Sequence, residues 1–233
     1  MKTIIFSLGG SIIVPNKVDY LFLGKFKKLL LRLSKNSKIV VVCGGGKIAR
    51  DYIEALEKEG VSSYERAYMG VECTRLNALL LATFLGNKAN QKVPTSPKEF
   101  MRFYRKFRIV VLGGALEAFH IDTTTTDGTT AYVAVKLKAK EFINLTNVNG
   151  LYDKDPRLFR NAKLIKEISY KDFEVMMRKV KAKPGQHFIL DSYAARLVRK
   201  KRIKVVILDG RNVKNIENYL NKSKFVGSVI GNV

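Results

Sequence analysis

The sequence predicts an α/β protein in which helices cover both faces of a mainly parallel sheet, a three-layer αβα sandwich. Three observations predict this fold class. Apolar runs of strand length alternate with helical patterns along the 233 residues. The runs are apolar at consecutive positions, which is typical of strands buried on both faces. Glycine or small polar residues follow four of the runs, at the ends where open α/β sheets bind ligands.

Five apolar runs are predicted to form the parallel strands. They are Thr3 to Leu8, Ile39 to Cys43, Ile109 to Leu112, Phe142 to Thr146 and Val205 to Leu208. Two short segments near 164–168 and 225–230 are predicted to add antiparallel strands.

Helical patterns lie between these strands and give the βαβα order of a three-layer fold. They fall near residues 19–34, 47–59, 71–85, 97–106, 129–139, 170–180, 191–201 and 212–220. We find no internal repeat and no low-complexity linker in the sequence. A single domain over residues 1–233 is therefore expected.

The composition is strongly basic, with 43 Lys and Arg against 20 Asp and Glu and a formal charge of +23. Such an excess is compatible with a nucleic-acid partner or with a small anionic substrate. The basic runs at 179–183 and 199–202 lack the interleaved aromatic residues of a stacking platform, so nucleic-acid binding is not favoured. No apolar run reaches 18 residues, and the apolar start is too short for a secretion signal. A cytoplasmic protein without a membrane segment is expected.

The stretch VVVCGGGKIARDYIEAL, residues 40–56, carries the clearest single ligand signal. A buried strand runs directly into Gly44, Gly45 and Gly46, and a helix follows. Glycines allow close approach of the backbone, and the N–H groups at a helix start favour an anion. Lys47 and Arg50 add positive charge there. The stretch predicts phosphate binding, although a strand–helix turn that merely needs glycine is the alternative.

Comparable turns follow three other strands of the predicted sheet. They are Gly9-Gly10-Ser11, Gly113-Gly114 and Thr146-Asn147-Val148-Asn149-Gly150. Together they predict one long polyanionic ligand, or two ligands, along one edge of the sheet. A P-loop motif and a G-x-G-x-x-G turn after a strand are both missing from the sequence, which argues against those nucleotide-binding classes.

Several motifs carry a resemblance to a known family. They are SLGGS (7–11), CGGGKIAR (43–50), GVECTRLNALLL (70–81), LGG (112–114), TTDGTTA (125–131), TNVNGLYDKDPR (146–157) and the helix start at 190–195. In this order the chain resembles the amino acid kinase family, and within it the archaeal-type uridylate (UMP) kinases. The resemblance implies transfer of the ATP γ-phosphoryl group to the phosphate of UMP, with ATP and Mg²⁺ as cofactors.

The resemblance also implies roles for individual residues. ATP binding falls to Gly10, Ser11, Gly46, Arg50, Thr146, Tyr152 and Asp155. Acceptor binding falls to Gly45, Thr123, Thr124, Thr125 and Thr126, and catalytic roles fall to Lys47, Ser11 and Asp127. The N-terminal half, about 1–112, is expected to hold the acceptor and the C-terminal half, about 113–233, to hold ATP. No dedicated metal-ligand set is predicted, and a homohexamer built from dimers is implied.

Three positions depart from the family pattern. Many members carry a lysine where Ser7 stands, and we hypothesise that Lys47 supplies this charge; the alternative is a solvated lysine. Ala67 replaces an aspartate that binds the UMP ribose in the archaeal branch, and Glu65 is expected to point elsewhere. The loop at 115–126 is longer than in the family and lacks Pro-Gly, and Asp127 is expected to cap the helix after it.

These departures leave several functions open. A UMP kinase is the first hypothesis. A related kinase with another phosphate or a carboxylate as acceptor is the second. A non-catalytic nucleotide or oxyanion-binding protein of the same fold is the third, and a nucleic-acid binder is the fourth.

Overall fold

The computed structural model of the protein describes residues 1–116, 125–181 and 190–231, and within these ranges the core is one seven-stranded sheet. The strands are β1 (Lys2–Leu8), β2 (Ser37–Cys43), β3 (Ile109–Leu112), β4 (Glu141–Thr146), β5 (Leu151–Tyr152), β6 (Leu164–Ile165), β7 (Glu167–Ser169), β8 (Lys204–Asp209) and β9 (Ser228–Gly231). The order in the large sheet is β3-β2-β1-β4-β8-β9-β7, and β5 and β6 form a separate antiparallel pair.

The strand directions confirm the predicted mainly parallel sheet. β3, β2, β1, β4 and β8 pair in parallel along the sheet. β9 pairs antiparallel with β8, and β7 pairs parallel with β9, so these last two strands run against the others. The segment predicted near 164–168 divides between β6 and β7. β5 was not predicted, because a strand of two residues has no readable periodicity.

Nine helices are described within these ranges, and eight of them confirm a predicted helix. They are α1 (Gly10–Ile13), α2 (Tyr20–Leu33), α3 (Gly46–Lys58), α4 (Ser63–Leu85), α5 (Pro97–Lys106), α6 (Thr126–Lys136), α7 (Tyr170–Lys181), α8 (Ser192–Lys201) and α9 (Val213–Leu220). The short α1 was not predicted because four residues span little more than one turn. None of the described helices combines the length and the apolar character that crossing a lipid bilayer requires.

Two hydrophobic clusters, one on each face of the sheet, confirm the three layers. Successive residues of β1 alternate between them: Ile4 belongs to one cluster and Ile5 to the other. The first cluster includes buried side chains of α1, α2, α4 and α9, such as Phe26. The second includes those of α5, α6, α7 and α8, such as Phe100. Burial on both faces explains why the strands are apolar at consecutive positions.

Helix α4 begins eight residues earlier than the predicted start at residue 71. Its N-terminus is a capping box: the Glu65 backbone N–H donates to Ser62 Oγ at 3.3 Å, and Ser62 Oγ donates to Glu65 Oε2 at 2.7 Å. The Ser-x-x-Glu spacing in the sequence was the signal for this start. Ala67 lies in the second turn of α4, and Glu65 is committed to the cap.

Candidate functional site

The glycine and small polar segments meet at one edge of the sheet, where the parallel strands end. β2, β1, β4 and β8 are consecutive neighbours, so Gly44, Gly9, Thr146 and Asp209 come at adjacent strand ends. The Gly9 backbone N–H donates to Leu145 O at 2.9 Å. The main-chain ladder therefore continues past the end of β1 and fixes the turns relative to one another.

Three glycines form the centre of this edge, with their backbones in direct contact. A Cβ on Gly10 would lie 2.0 Å from the Gly46 nitrogen and 2.6 Å from the Gly44 carbonyl carbon. Gly46 has a φ of +69°, and a Cβ there would lie 2.4 Å from Gly10 O. Only glycine fits this junction of Gly10, Gly44 and Gly46, which we call the glycine junction. Gly10 and Gly44 are buried in this contact, while the half-buried Gly45 and Gly46 leave backbone at the surface that a phosphate can approach.

Helix α3 begins at the glycine junction and is not capped by a side chain at Gly45. The Lys47 backbone N–H donates to Val14 O at 3.1 Å, and the positive end of the α3 dipole lies at the strand edge. Lys47 lies in the first turn, where its Nζ is 2.6 Å from Asp51 Oδ1 one turn later. Arg50 is exposed on the same helix. The positive charge of Lys47 is thus partly balanced by Asp51.

Asn77 of α4 holds the turn at the glycine junction by hydrogen bonds, a role that the sequence did not reveal. Its side chain is 2% exposed, and its Nδ2 donates to Gly44 O at 2.7 Å and to Gly45 O at 3.0 Å. One side-chain amide thus bonds to the backbone carbonyls of two glycines, which have no side chains to hold the turn in place. The available signal was an asparagine directly before the apolar run 78–82 of the helix.

Replacement of Asn77 by alanine should destabilise the protein, because two turn carbonyls lose a buried donor. We expect the free energy of unfolding to fall by about 1–3 kcal/mol. Urea denaturation of the variant and the wild type measures the difference. Thr83→Ala is the matched control on the exposed side of α4, with an expected change within about 0.5 kcal/mol. A change in Asn77→Ala no larger than that of the control would contradict the role.

Thr74 plays a similar part for the turn after β3. Its hydroxyl donates to Val71 O at 2.6 Å and accepts from the Gly114 backbone N–H at 2.7 Å. A Cβ on Gly113 would lie 2.7 Å from the Thr74 hydroxyl, so this glycine is needed for close packing on α4. Thr123 and Thr124, predicted to bind the acceptor, lie outside the described residues.

Asp127 lies in the first turn of α6, where it contacts the central strands β1 and β4. Its Oδ1 accepts from Ser7 Oγ at 3.0 Å and from Asn144 Nδ2 at 3.4 Å. Ser7 and Asn144 pair across β1 and β4, so the carboxyl is fixed against two central strands. Burial raises the pKa of Asp127 to about 7, and repulsion from Asp191 acts in the same direction; the hydrogen bond from Ser7 opposes them.

The prediction that Asp127 caps the following helix is wrong. Thr125 is the cap, and its Oγ1 accepts from the Gly128 backbone N–H at 3.0 Å. The Thr125 hydroxyl also donates to the Asp191 carboxylate, which in turn caps α8. A threonine can fill the cap as well as an aspartate can, and this leaves the carboxyl of Asp127 to point inward. Thr126 begins α6, and its carbonyl accepts from the Thr130 hydroxyl at 2.7 Å.

The segment after β4 carries the residues predicted to surround the ATP nucleoside. Thr146 ends β4 opposite Asp209 of β8, and Tyr152 belongs to the small strand β5. Asp155 follows in a turn, where Arg157 donates to its carboxylate from the backbone N–H and Nε at 2.9 Å each and from Nη2 at 2.6 Å. Asp155 is therefore already paired with an arginine.

The structure thus places Gly10 and Gly46 in the glycine junction, with Ser11 and Gly45 next to them in sequence and Thr146 on the neighbouring strand β4. Asp127 is held by the central strands, and Lys47 and Arg50 lie on α3. The sequence reasoning used Asn77, Thr74 and Asp191 only as members of family motifs and assigned no role to their side chains, whose contacts hold the turns in place. It also missed Asp209 and Arg211, which occupy the end of β8.

Solved structures with this arrangement of elements exist. The uridylate kinase of Archaeoglobus fulgidus has a TM-score of 0.81 at 32% sequence identity, and the match covers 99% of this chain and 100% of that one. The UMP kinase of Ureaplasma parvum has a TM-score of 0.78 at 20% identity, which supports the fold.

Sequence comparisons agree with the structural ones. A protein named uridylate kinase from Methanoregula boonei is 36% identical over 230 residues, which is 99% of this chain and 96% of the relative. A uridylate kinase of Pyrococcus abyssi is 32% identical over 97% of this chain. The model of the amino acid kinase family matches residues 2–209. The predicted fold class and resemblance are confirmed, and the chain belongs to the amino acid kinase family.

Proposed function

We propose that this protein is an ATP-dependent UMP kinase, which transfers the γ-phosphoryl group of ATP to the phosphate of UMP and releases UDP and ADP. The observation that carries the proposal is the glycine junction, where two adjacent strand ends meet the start of α3 with no side chain between their backbones. Relatives named uridylate kinase match nearly the full length. Phosphoryl transfer depends mainly on positioning and charge stabilisation, and such an edge supplies both.

The two substrates are proposed to bind on opposite sides of this junction. Residues of the half at 1–112, with Gly45 and the α3 start, would hold the acceptor phosphate. Residues of the half at 113–233, with Thr146 and Tyr152, would hold the nucleoside of ATP. Support comes from the strand order, since β2 and β4 lie on either side of β1. Ser11 and Gly46 would then face the transferring phosphates between them.

The carboxylates of this edge fit a Mg²⁺ ion that arrives with ATP. No group of three or more His, Cys, Asp or Glu residues suited to a metal occurs in the described parts of the chain, and Mg²⁺ is commonly held by one or two carboxylates plus phosphates. Asp155 and Asp209 are both paired with arginines. We therefore assign Asp127 as the carboxylate that would hold Mg²⁺ or its water. The ion would neutralise charge on the phosphates.

The test of the function is ADP release with ATP and Mg²⁺ in the presence of UMP, CMP, other nucleoside monophosphates and carboxylate acceptors. We expect UMP to give the highest kcat/KM. A higher value for CMP or for a non-nucleotide acceptor would favour the related-kinase hypothesis. ATP binding without ADP release for any acceptor would favour a non-catalytic protein.

Replacement of Lys47 by alanine tests whether this lysine supplies the charge absent at Ser7. We expect kcat to fall by more than about threefold, since a smaller change corresponds to less than about 1 kcal/mol of barrier. Steady-state ADP release measures it. Lys58→Ala is the matched control, because Lys58 makes the same kind of pair with Glu54 at the far end of α3. Equal activity in both variants would show that Lys47 is a solvated surface lysine and does not supply the charge absent at Ser7.

A homo-oligomer, by resemblance a hexamer built from dimers, is also part of the proposal. Support comes from helices α3 and α4, where Tyr52, Leu76 and Leu79 are 51%, 55% and 42% exposed. Large apolar side chains at such exposure are typical of a surface that a partner covers. Light scattering on the purified protein measures the mass directly. A cytoplasmic location and a role in pyrimidine nucleotide biosynthesis are proposed because ATP and UMP are the substrates.

A further inference from the structure

Strand β8 ends in a clamp formed by Asp209 and Arg211, which the assigned functional residues do not include. The Arg211 backbone N–H and Nε each donate to Asp209 Oδ1 at 3.0 Å. Its Nη2 donates to Asp209 Oδ2 at 2.8 Å. The Asp209 carboxylate therefore accepts three hydrogen bonds from Arg211, and they fix the orientation of the guanidinium.

The same guanidinium reaches the neighbouring strand end. Arg211 Nη2 also donates to Asn147 O at 2.9 Å, in the segment that follows β4. The Gly210 backbone N–H donates to Thr146 O at 2.9 Å and extends the β4–β8 ladder to this point. Arg211 thus connects Asn147, the first residue after β4, to the end of β8. The acceptor is a backbone carbonyl, so the bond does not depend on the side chain of residue 147.

The other end of this segment is also fixed. The Leu151 backbone N–H donates to Ser228 Oγ at 2.8 Å, and that hydroxyl donates to Ile165 O. A Cβ on Gly150 would lie 2.4 Å from Ser228 Oγ, so the chain passes tightly against β9. Residues 148–150 are therefore held between two fixed points, Arg211 at one end and Ser228 at the other.

We propose that Arg211 is a positioning residue for ATP, because its clamp with Asp209 sets the backbone of residues 147–150 in the conformation that receives the nucleotide. This inference rests on the proposed function, in which the same segment binds the ATP nucleoside. Lysine cannot replace the arginine here, because the contact needs a planar fork that bonds a carboxylate and a carbonyl at once.

The experiment compares Arg211→Ala and Arg211→Lys with wild type in steady-state kinetics. In both variants we expect the KM for ATP to rise by about fivefold to tenfold, the effect of losing about 1–1.4 kcal/mol of binding. We expect the KM for UMP to change by less than about twofold. Arg32→Ala is the matched control, since Arg32 is 55% exposed and pairs with Glu217 on α9, while Arg211 is 57% exposed. Its constants should equal those of the wild type.

Amide hydrogen exchange shows whether the effect is confined to this segment, which a global loss of stability would not produce. Exchange of residues 147–151 should accelerate in Arg211→Ala, while the amides of β1 and β2 exchange at the wild-type rate. An unchanged KM for ATP, a full rescue by lysine, or equal rises in both KM values would overturn the proposal. If the wild type releases no ADP, the kinase proposal fails, and ATP titration calorimetry of the same variants still decides the role of Arg211.

Discussion

Replacement of Gly10 by alanine should abolish UMP-dependent ADP release and lower the melting temperature of the protein. The new Cβ would lie 2.0 Å from the Gly46 nitrogen and 2.6 Å from the Gly44 carbonyl carbon. Both neighbours are backbone, so no side chain can rotate away. Either β1 and β2 separate at their ends or the start of α3 shifts, and both changes displace the phosphate-binding backbone. We expect a loss of activity of about 100-fold or more, equivalent to about 2.7 kcal/mol of barrier.

Gly24→Ala is the matched control for this substitution. Gly24 lies inside α2, and a Cβ there would meet nothing within 4 Å. Alanine favours a helix interior over glycine by about 1 kcal/mol, so this variant should be slightly more stable and fully active. Thermal melting and ADP release measure both variants. A Gly10→Ala enzyme with wild-type kcat/KM would show that the glycine junction is not the phosphate site.

Replacement of Asp127 by asparagine should reduce activity and raise stability at alkaline pH. Asparagine keeps the shape and can still accept from the Ser7 hydroxyl, but it carries no ionisable carboxyl. We expect kcat to fall by about 100-fold because the carboxylate proposed to hold Mg²⁺ is lost. At pH 8 the variant should melt at a higher temperature than the wild type, since it no longer holds a buried negative charge near Asp191.

The pH dependence of this stability difference follows from the pKa of Asp127. In the folded protein it is raised to about 7, above its ordinary value of 3.8, so the folded state binds the proton more tightly than the unfolded chain does. The wild type therefore loses stability as the pH rises from about 4 to about 7. The advantage of Asp127→Asn should be present at pH 8 and shrink toward pH 5. Melting curves at both pH values measure it.

The rate of the wild type should also depend on the ionisation of this group. At low Mg²⁺ we expect the rate to rise with pH in a step near 7, because protons compete with the ion for the Asp127 carboxylate. Saturating Mg²⁺ should move this step to lower pH, and the step should vanish in Asp127→Asn. Ser7→Ala removes a hydrogen bond that lowers the pKa of Asp127, so its step should move to higher pH. A wild-type rate at low Mg²⁺ that is constant between pH 6 and 8 would argue against a role for the carboxylate in the reaction.

Much of the fold was predictable because buried strands and helices have characteristic patterns of apolar residues in the sequence. The runs at β1 and β2 are buried on both faces and therefore read as strands at once. The errors came from elements decided by one or two contacts. The start of α4 depends on the pair of Ser62 and Glu65, and the α6 cap depends on the choice between Thr125 and Asp127.

Residues of the candidate site were predictable from sequence only where the backbone geometry allows a single residue type, glycine. Gly10 and Gly46 could be identified because a backbone contact leaves no other choice. Asn77 and Arg211 act across 32 or more positions of sequence, and no local pattern links an amide or a guanidinium to a distant carbonyl. Such pairings depend on the strand order, which the sequence alone does not establish.

The central place of β1 in the sheet affects how the chain can acquire its structure. Its register joins Phe6, Ser7 and Leu8 to Ile143, Asn144 and Leu145 of β4, while its other side pairs with β2. One apolar edge of β1 therefore stays unpaired until residue 146 has been synthesised. A fragment of residues 1–112 would expose that edge and associate with other chains. The two halves that meet near residue 112 are therefore not independently folding units.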